Sequence, residues 1–312
     1  MKRTWLRIVV TIALLGLLAW KADWAEIGKT FAQVPLVSIV LALLIYAAAQ
    51  VFSSVRWATL AAALGIVQPL RRYVRLYCIG MFANLFLPTS VGGDVVRALR
   101  LGALSGRTRE AACSVLADRL SGLGMLLLIA AVAVALLPAD VPFWLRGSIW
   151  AVTALSLAFA IVCRWAPSAL PQWPGMRVVI DSVRVQLDEP RTALFAMMLA
   201  LIVQGFNVVI VWVLGVSLDL PIPTMFYLVL VPTVSLLTVL PISLNGMGVR
   251  EGATMLLLAP YGVSAGQAIT LSVLWFLVMS AVSLSGAGFY LAGTRPAARR
   301  AGDAGTVVST AY

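Results

Sequence analysis

The chain has no histidine, only three cysteines and few charged residues among its 312 positions. The missing histidine removes the usual general base near neutral pH and the commonest metal ligand, so any catalysis would rest on carboxylates, Tyr, Lys or Cys. Cys78, Cys113 and Cys163 lie far apart, without the paired spacing of a zinc or redox site. We therefore predict that the cysteines are small core residues, and we predict no metal, no cofactor and no catalytic residue.

The composition excludes a water-soluble enzyme. Hydrophobic residues make up 62% of the chain and charged residues 11%, at a mean hydropathy of +0.99. Soluble domains carry about 25% charged and about 45–50% apolar residues, so most of this chain is predicted to lie in lipid. The net charge is +11, but the basic residues are scattered between apolar runs, which excludes nucleic acid as a partner.

The apolar stretches predict six membrane crossings. An uncleaved first helix near 8–20 is followed by stretches near 36–56, 111–137, 143–163, 192–216 and 266–292. Two further stretches, 73–88 and 222–241, run into loops that contain Pro and Gly, and we predict that both are re-entrant. The cytoplasmic side then holds 18 of the 23 basic residues and both termini. If 73–88 and 222–241 were full crossings instead, the arginines of 164–191 would lie outside, which the positive-inside rule disfavours.

Two segments lie outside the spans. Residues 167–190 predict a turn and then an amphipathic helix on the inner membrane surface, with a solvated connector as the alternative. Residues 294–312 are predicted to form a disordered cytoplasmic tail.

Three polar residues lie within or at the end of the predicted spans. Arg56 is interpreted as an anchor at the membrane interface that closes its helix. Gln204 and Asn207, at i and i+3, are candidates to line a polar path, although hydrogen bonding between helices is the commoner role for such residues.

One loop pattern occurs twice, 153 residues apart. Residues 87–97 (LPTSVGGDVVR) and 240–250 (LPISLNGMGVR) align without a gap and are identical at six of eleven positions. Pro ends a half-helix and Gly permits φ > 0, so a second half-helix can begin after the loop. Paired interruptions predict an inverted repeat with loops over 84–97 and 240–251 and a binding site between them; the alternative is two plain interfacial turns. The predicted loop-forming residues are Pro88, Gly92, Gly93, Pro241, Gly246 and Gly248.

Six charged residues lie beside these loops at membrane depth: Asp94, Arg97, Asp118, Arg119, Arg250 and Glu251. Each costs about 2.5–3.5 kcal/mol at the bilayer centre unless it is paired or faces water. We predict that the three arginines converge on a phosphate with the carboxylates as counter-charges; the alternative is that the six only pair and lock the bundle. Adjacent Asp118 and Arg119 point about 100° apart, so they should reach different elements. Asn84 and Asn245 complete the predicted substrate-binding set.

Three blocks occur in order: Asn84-x-x-x-Pro88-x-x-x-Gly92-Gly93-Asp94-x-x-Arg97, Asp118-Arg119-x-x-Gly122 and Pro241-x-x-x-x-Gly246-x-Gly248-x-Arg250-Glu251. They resemble the lysylphosphatidylglycerol synthase transmembrane region, also called the flippase-like domain family, over nearly all of residues 1–293. The resemblance implies one multi-pass domain in the bacterial inner membrane that moves a lipid to the other leaflet. Well-understood relatives add a cytosolic lysyltransferase domain, which we do not expect after Leu291.

The leading hypothesis is therefore a translocator, not an enzyme, whose substrate is an anionic phospholipid or a lipid-linked headgroup. A second hypothesis is a membrane-embedded lipid or glycosyl transferase with a polyprenyl-phosphate or phospholipid donor, and a third is a scaffold without transport. The first external loop offers only Asp23 and Glu26 as carboxylates, which disfavours the transferase. A homo-oligomer and a lipid-modifying enzyme partner both stay open.

Overall fold

The computed structural model describes residues 9–14, 16, 24–87, 91–137, 141–165, 174–240 and 242–294. These residues form helices and turns, with no strand among them, which confirms the predicted all-α class. The helices are α1 (Trp24–Gln33), α2 (Leu36–Ala63), α3 (Leu70–Phe86), α4 (Gly92–Ser105), α5 (Thr108–Leu136), α6 (Phe143–Trp165), α7 (Pro174–Leu187), α8 (Pro190–Ser217), α9 (Tyr227–Val239), α10 (Val249–Leu258) and α11 (Ala265–Thr294).

Within the described residues, five helices are long and apolar enough to cross a membrane: α2, α5, α6, α8 and α11. They correspond to five of the six predicted crossings. The sixth, near 8–20, is described only in part, and its described residues, 9–14 and 16, are helical. The tail from 295 onward also lies outside them.

The two remaining apolar stretches form α3 and α9, and a second short helix, α4 or α10, follows the loop in each case. Helix α3 has 17 residues and α4 has 14, which gives lengths of about 26 Å and about 21 Å. Helix α10 has 10 residues and is about 15 Å long. Each is shorter than the roughly 30 Å hydrocarbon layer, as half-helices should be. Pro88 and Pro241 lie outside the described residues, and re-entry on the same side stays a prediction.

Glycine allows α3 and α4 to pack with their backbones in contact. A Cβ atom on Gly93 would lie 2.0 Å from the carbonyl oxygen of Gly80. The Gly93 N–H donates a 2.6 Å hydrogen bond to Asn84 Oδ1, which ties the start of α4 to the last turns of α3. The first hairpin is therefore one tightly packed unit.

The second copy of the loop pattern has a different backbone. The 153-residue offset aligns Gly92, where α4 begins, with Asn245, yet α10 begins only at Val249. Asn245 (φ 49°) and Gly248 (φ 81°) both adopt left-handed conformations that interrupt a helix. As a result the paired arginine is the sixth residue of α4 in the first copy but the second residue of α10 in the other.

The second loop is also held by the N-terminal helical segment. The N–H of Leu244 donates a 2.8 Å hydrogen bond to the hydroxyl oxygen of Thr11, which is buried. Lipid offers no partner for a free backbone N–H, so this bond supplies what a non-helical loop at membrane depth requires.

Two apolar cores lie at different levels of the bundle and leave polar residues between them. Along α2, Ala42 belongs to the larger core and Trp57 to the smaller one. Between these positions lie four polar residues of α2: Gln50, Ser53, Ser54 and Arg56. The fold thus places a polar layer at an intermediate depth.

Helix α7 confirms the helix predicted within 167–190. It buries Ile180 and Val183 against Cys163 of α6. Exposed ion pairs flank this contact, with Asp181 bound by Arg109 of α5. Residues 166–173 lie outside the described residues, and the position of α7 on the membrane surface stays a prediction.

Candidate functional site

The polar layer surrounds a cavity of about 330 Å³. Its walls come from both interrupted segments and from the long helices α2, α5, α8 and α11. Seven of the eight predicted substrate-binding residues line it: Asn84, Asp94, Arg97, Asp118, Arg119, Asn245 and Arg250. Glu251 is not among the lining residues. The volume falls within the roughly 300–1,000 Å³ of ligand pockets, so the cavity is large enough for a lipid headgroup.

Two buried aspartates join three arginines in the first part of the site. Asp118 accepts hydrogen bonds from Arg56 Nε at 2.8 Å and from Arg97 Nη1 at 3.3 Å. Asp94 accepts one from Arg97 Nη2 at 2.7 Å and another from Arg119 Nε. Asp118 and Arg119, although adjacent, thus bind different partners, as predicted. Every oxygen of these two carboxylates is occupied by an arginine.

Arg97 is the most enclosed of these cations. Its guanidinium carbon lies 4.8 Å from the ring centroid of Trp57 and 4.4 Å from that of Tyr77. Cation–π contacts and two carboxylates together compensate for the removal of this charge from water. Arg97 is therefore fixed at the centre of the cluster, where it holds Asp94 and Asp118 in position.

The interpretation of Arg56 as an interfacial anchor is wrong. Helix α2 continues to Ala63, and Arg56 is 4% exposed and paired with Asp118. A sequence signal for this burial exists: Gln50 and Ser53 precede Arg56 at helical spacing, which puts all three on one face of α2. Trp57, the next residue, is typical of an interface anchor and favours the incorrect prediction.

The accessibility of the arginines separates their roles. The side chain of Arg119 is 37% exposed, against 4% for Arg97 and 5% for Arg56. Arg56 nevertheless keeps one nitrogen, Nη1, without a hydrogen-bond partner among the described residues. That nitrogen is enclosed by protein, so Arg119 is better placed than Arg97 or Arg56 to meet a ligand in the cavity.

The second loop contributes a compact pair, Arg250 and Glu251. Arg250 Nη2 lies 2.7 Å from Glu251 Oε1, and Arg250 Nε donates to Ser272 Oγ at 3.1 Å. The guanidinium carbon stacks 4.5 Å from the ring centroid of Phe276. The other oxygen of Glu251 accepts the Gly248 N–H at 2.6 Å, so this carboxylate also fixes the start of α10. No sequence pattern predicts the contacts of Ser272 and Phe276, which lie on α11.

The uncharged polar candidates form hydrogen bonds between elements. Gln204 Nε2 donates to the carbonyl oxygen of Gly122 at 3.2 Å, which links α8 to α5. Asn207 Nδ2 donates to Gln204 Oε1 at 2.9 Å. The first bond is interhelical and the second lies within α8, and both residues line the cavity.

Five candidate spans, two interrupted apolar segments and a charged internal cavity define a multi-pass membrane protein with a polar site inside its helix bundle. The family model described as "Lysylphosphatidylglycerol synthase TM region" matches residues 4–286. The chain belongs to this family, which confirms the resemblance seen in its motifs. A comparison with curated proteins finds no match.

Proposed function

We propose that the protein is a lipid translocator. The anionic headgroup of the lipid passes through the cavity on its way from one membrane leaflet to the other. The observation that carries the proposal is that charged residues of both interrupted segments line one cavity: Asp94 and Arg97 of α4 and Arg250 of α10. Interrupted helices in two halves of a chain are where transporters place their substrates. A flippase-like role is also what membership of the family suggests.

The charge of the lining favours an anion. The lining contains four arginines, Arg56, Arg97, Arg119 and Arg250, against two aspartates, and with Glu251, the partner of Arg250, the arginines still exceed the carboxylates by one. In a low-dielectric bundle such an excess of cations attracts a phosphate, and the guanidinium fork matches phosphate geometry. The alternative, that the charges only lock the bundle, explains the ion pairs, including that of Arg119 with Asp94, but leaves the cavity without a role.

The transferase hypothesis finds less support. An acid or base catalyst needs a carboxylate that can exchange a proton with a substrate. The two carboxylates that line the cavity each bridge two arginines, so each already has a structural role within the cluster. No observation on the described residues favours a second function over translocation.

The proposal includes a location and an orientation. The protein would reside in the bacterial inner membrane with both termini in the cytoplasm, as the distribution of basic residues predicts. The first hairpin would then enter from the cytoplasm and the second from outside. Such an arrangement suits alternating access, in which each hairpin opens the cavity to its own side.

Reconstituted protein tests the proposal. We expect proteoliposomes to move an acyl-labelled anionic phospholipid between leaflets, measured as loss of its protection from an external quencher. Arg119→Gln should slow this movement about tenfold, because a charged hydrogen bond to the phosphate is lost. The control is Arg164→Gln, which removes an exposed arginine paired with Asp188 outside the cavity and should stay within about twofold. Failure of the unmodified protein to move any anionic lipid offered would contradict the proposal.

A further inference from the structure

Positive charge collects at one end of the first hairpin, away from the cavity. Among the described residues, no carboxylate oxygen lies within 4 Å of the arginine nitrogens there, whereas Arg107 and Arg109, which follow α4, each pair with a carboxylate. The protein therefore leaves this positive charge uncompensated. Three of the arginines are in the first two turns of α3 and one is near the end of α4: Arg71, Arg72, Arg75 and Arg100.

The end of α11 brings two of these arginines together. Arg75 Nη2 donates to the carbonyl oxygen of Phe289 at 3.4 Å, and the guanidinium carbon of Arg100 lies 4.9 Å from the ring centroid of Tyr290. Phe289 and Tyr290 are adjacent, so both guanidinium groups lie against the same turn of α11. Both arginines are only half-buried. A guanidinium has five N–H groups, and a ring contact uses none of them, so both cations can also bind an anion.

An aromatic stripe continues from the arginines along the outer face of α3. Arg75, Phe82 and Phe86 are at i, i+7 and i+11, which places them on one face of the helix. The ring centroids of Phe82 and Phe86 lie 5.0 Å apart, and that of Tyr290 lies 6.5 Å from Phe82. Phe86 is 70% exposed, and neither phenylalanine lines the cavity. The stripe therefore faces the surroundings of the bundle.

The seam between α3 and α11 has the dimensions of one leaflet. Arg75 and Phe86 are eleven residues apart in one helix, which is about 16 Å. Half of the roughly 30 Å hydrocarbon layer is about 15 Å. A Cβ atom on Gly286 would lie 2.0 Å from the carbonyl oxygen of Cys78, so α11 packs against the backbone of α3. The seam is thus a defined surface, with cations at one end and aromatic rings at the other.

We propose that this seam binds an anionic phospholipid of the adjacent leaflet, at a site separate from the cavity. The phosphate lies between Arg75 and Arg100, and one acyl chain lies along Phe82 and Phe86. Charge complementarity selects the occupant, because guanidinium groups match phosphate geometry. A soluble anion would meet the arginines but leave the aromatic stripe without a contact. By the predicted orientation this is the cytoplasmic leaflet, whose anionic lipids attract nearby basic residues. The site does not depend on the proposed transport.

Titration of the purified protein in detergent, read by native mass spectrometry, tests the site. We expect phosphatidylglycerol to bind and glycerophosphoglycerol, the same headgroup without acyl chains, to bind at least tenfold more weakly, because it cannot contact the stripe. Arg75→Gln together with Arg100→Gln should weaken phosphatidylglycerol about tenfold, since charged hydrogen bonds to the phosphate are lost. Equal affinity for the two probes would identify a site for soluble anions and overturn the proposal, as would binding of neither.

Arg177→Gln together with Arg191→Gln is the matched control for charge. It removes two arginines from α7 and α8, and these also have no described carboxylate within 4 Å. The affinity for phosphatidylglycerol should stay within about twofold of the parent. An equal loss in the two double variants would show that net charge alone attracts the lipid, and the proposal would be wrong. Thermal unfolding checks that both variants retain the fold.

The aromatic part of the site has its own test. Phe86→Ala should weaken phosphatidylglycerol about threefold, because part of the apolar contact with the acyl chain is lost. Phe159→Ala, on the exposed side of α6, makes the same change away from the seam and should leave the affinity unchanged. Equal effects of the two substitutions would contradict the placement of the acyl chain.

Arg119→Gln separates the seam from the cavity. In the proposed function this substitution slows transport, but the affinity for the first phosphatidylglycerol bound should stay within about twofold of the parent. A tenfold loss of that affinity in Arg119→Gln would assign the bound lipid to the cavity and overturn the inference. A parent protein that binds phosphatidylglycerol at the seam but moves no lipid would contradict the proposed function and leave the seam site standing.

Discussion

Replacing Asp118 by Asn should destabilise the folded protein by about 3–5 kcal/mol, the usual cost of removing one partner from a buried ion pair. Asp118 is 1% exposed and binds both Arg56 and Arg97. The neutral amide leaves these two buried guanidinium groups with one carboxylate fewer, and Arg56 then has no charged partner among the described residues. Unfolding by heat or denaturant in a fixed detergent measures the difference.

Asp181→Asn is the matched control, because it makes the same chemical change in an exposed pair. Asp181 binds Arg109 on the surface of the bundle, and both side chains are at least one-third exposed. Exposed pairs contribute about 0–1 kcal/mol, so this variant should unfold nearly as the parent does. A destabilisation of similar size in the two variants would show that the cluster around Asp118 is not a buried network.

Replacing Gly93 by Ala should separate the two helices of the first hairpin. The new methyl carbon would lie 2.0 Å from the carbonyl oxygen of Gly80, a backbone atom that cannot rotate away. We expect a destabilisation of about 3 kcal/mol, at the upper end of the range for overpacking. Because Asp94 and Arg97 follow on α4, transport should be lost in whatever protein still folds. Unfolding and translocation are measured on the same preparation.

Gly124→Ala makes the same substitution in the interior of α5, where a Cβ atom meets nothing within 4 Å. Alanine favours a helix over glycine by about 0.5–1 kcal/mol, so this variant should be as stable as the parent or slightly more stable. If Gly93→Ala were equally harmless, the close contact between α3 and α4 would not exist in the membrane.

The spans and the charged site could be predicted because their signals are local. Apolar runs such as 36–56 reflect the thickness of the lipid layer directly. The adjacent positions of Asp118 and Arg119 also fix their divergence on a helix, which predicted separate partners correctly. In these cases the prediction does not depend on contacts with neighbouring elements.

What could not be predicted depends on contacts between distant segments. The burial of Arg56 could not be predicted locally, because its partner, Asp118, lies on another helix. The second loop shares its pattern with the first, yet Asn245 and Gly248 take left-handed conformations that delay the helix by four residues. Ser272, which contacts Arg250, lies on α11, and no local sequence pattern indicates this contact.

Electron cryomicroscopy of the protein in nanodiscs that contain an anionic phospholipid tests the central claim most directly. We predict headgroup density inside the cavity, with its phosphate within about 3–4 Å of the Arg119 guanidinium group. A cavity that holds only water while ordered lipids lie solely on the outer surface of the bundle would contradict the account.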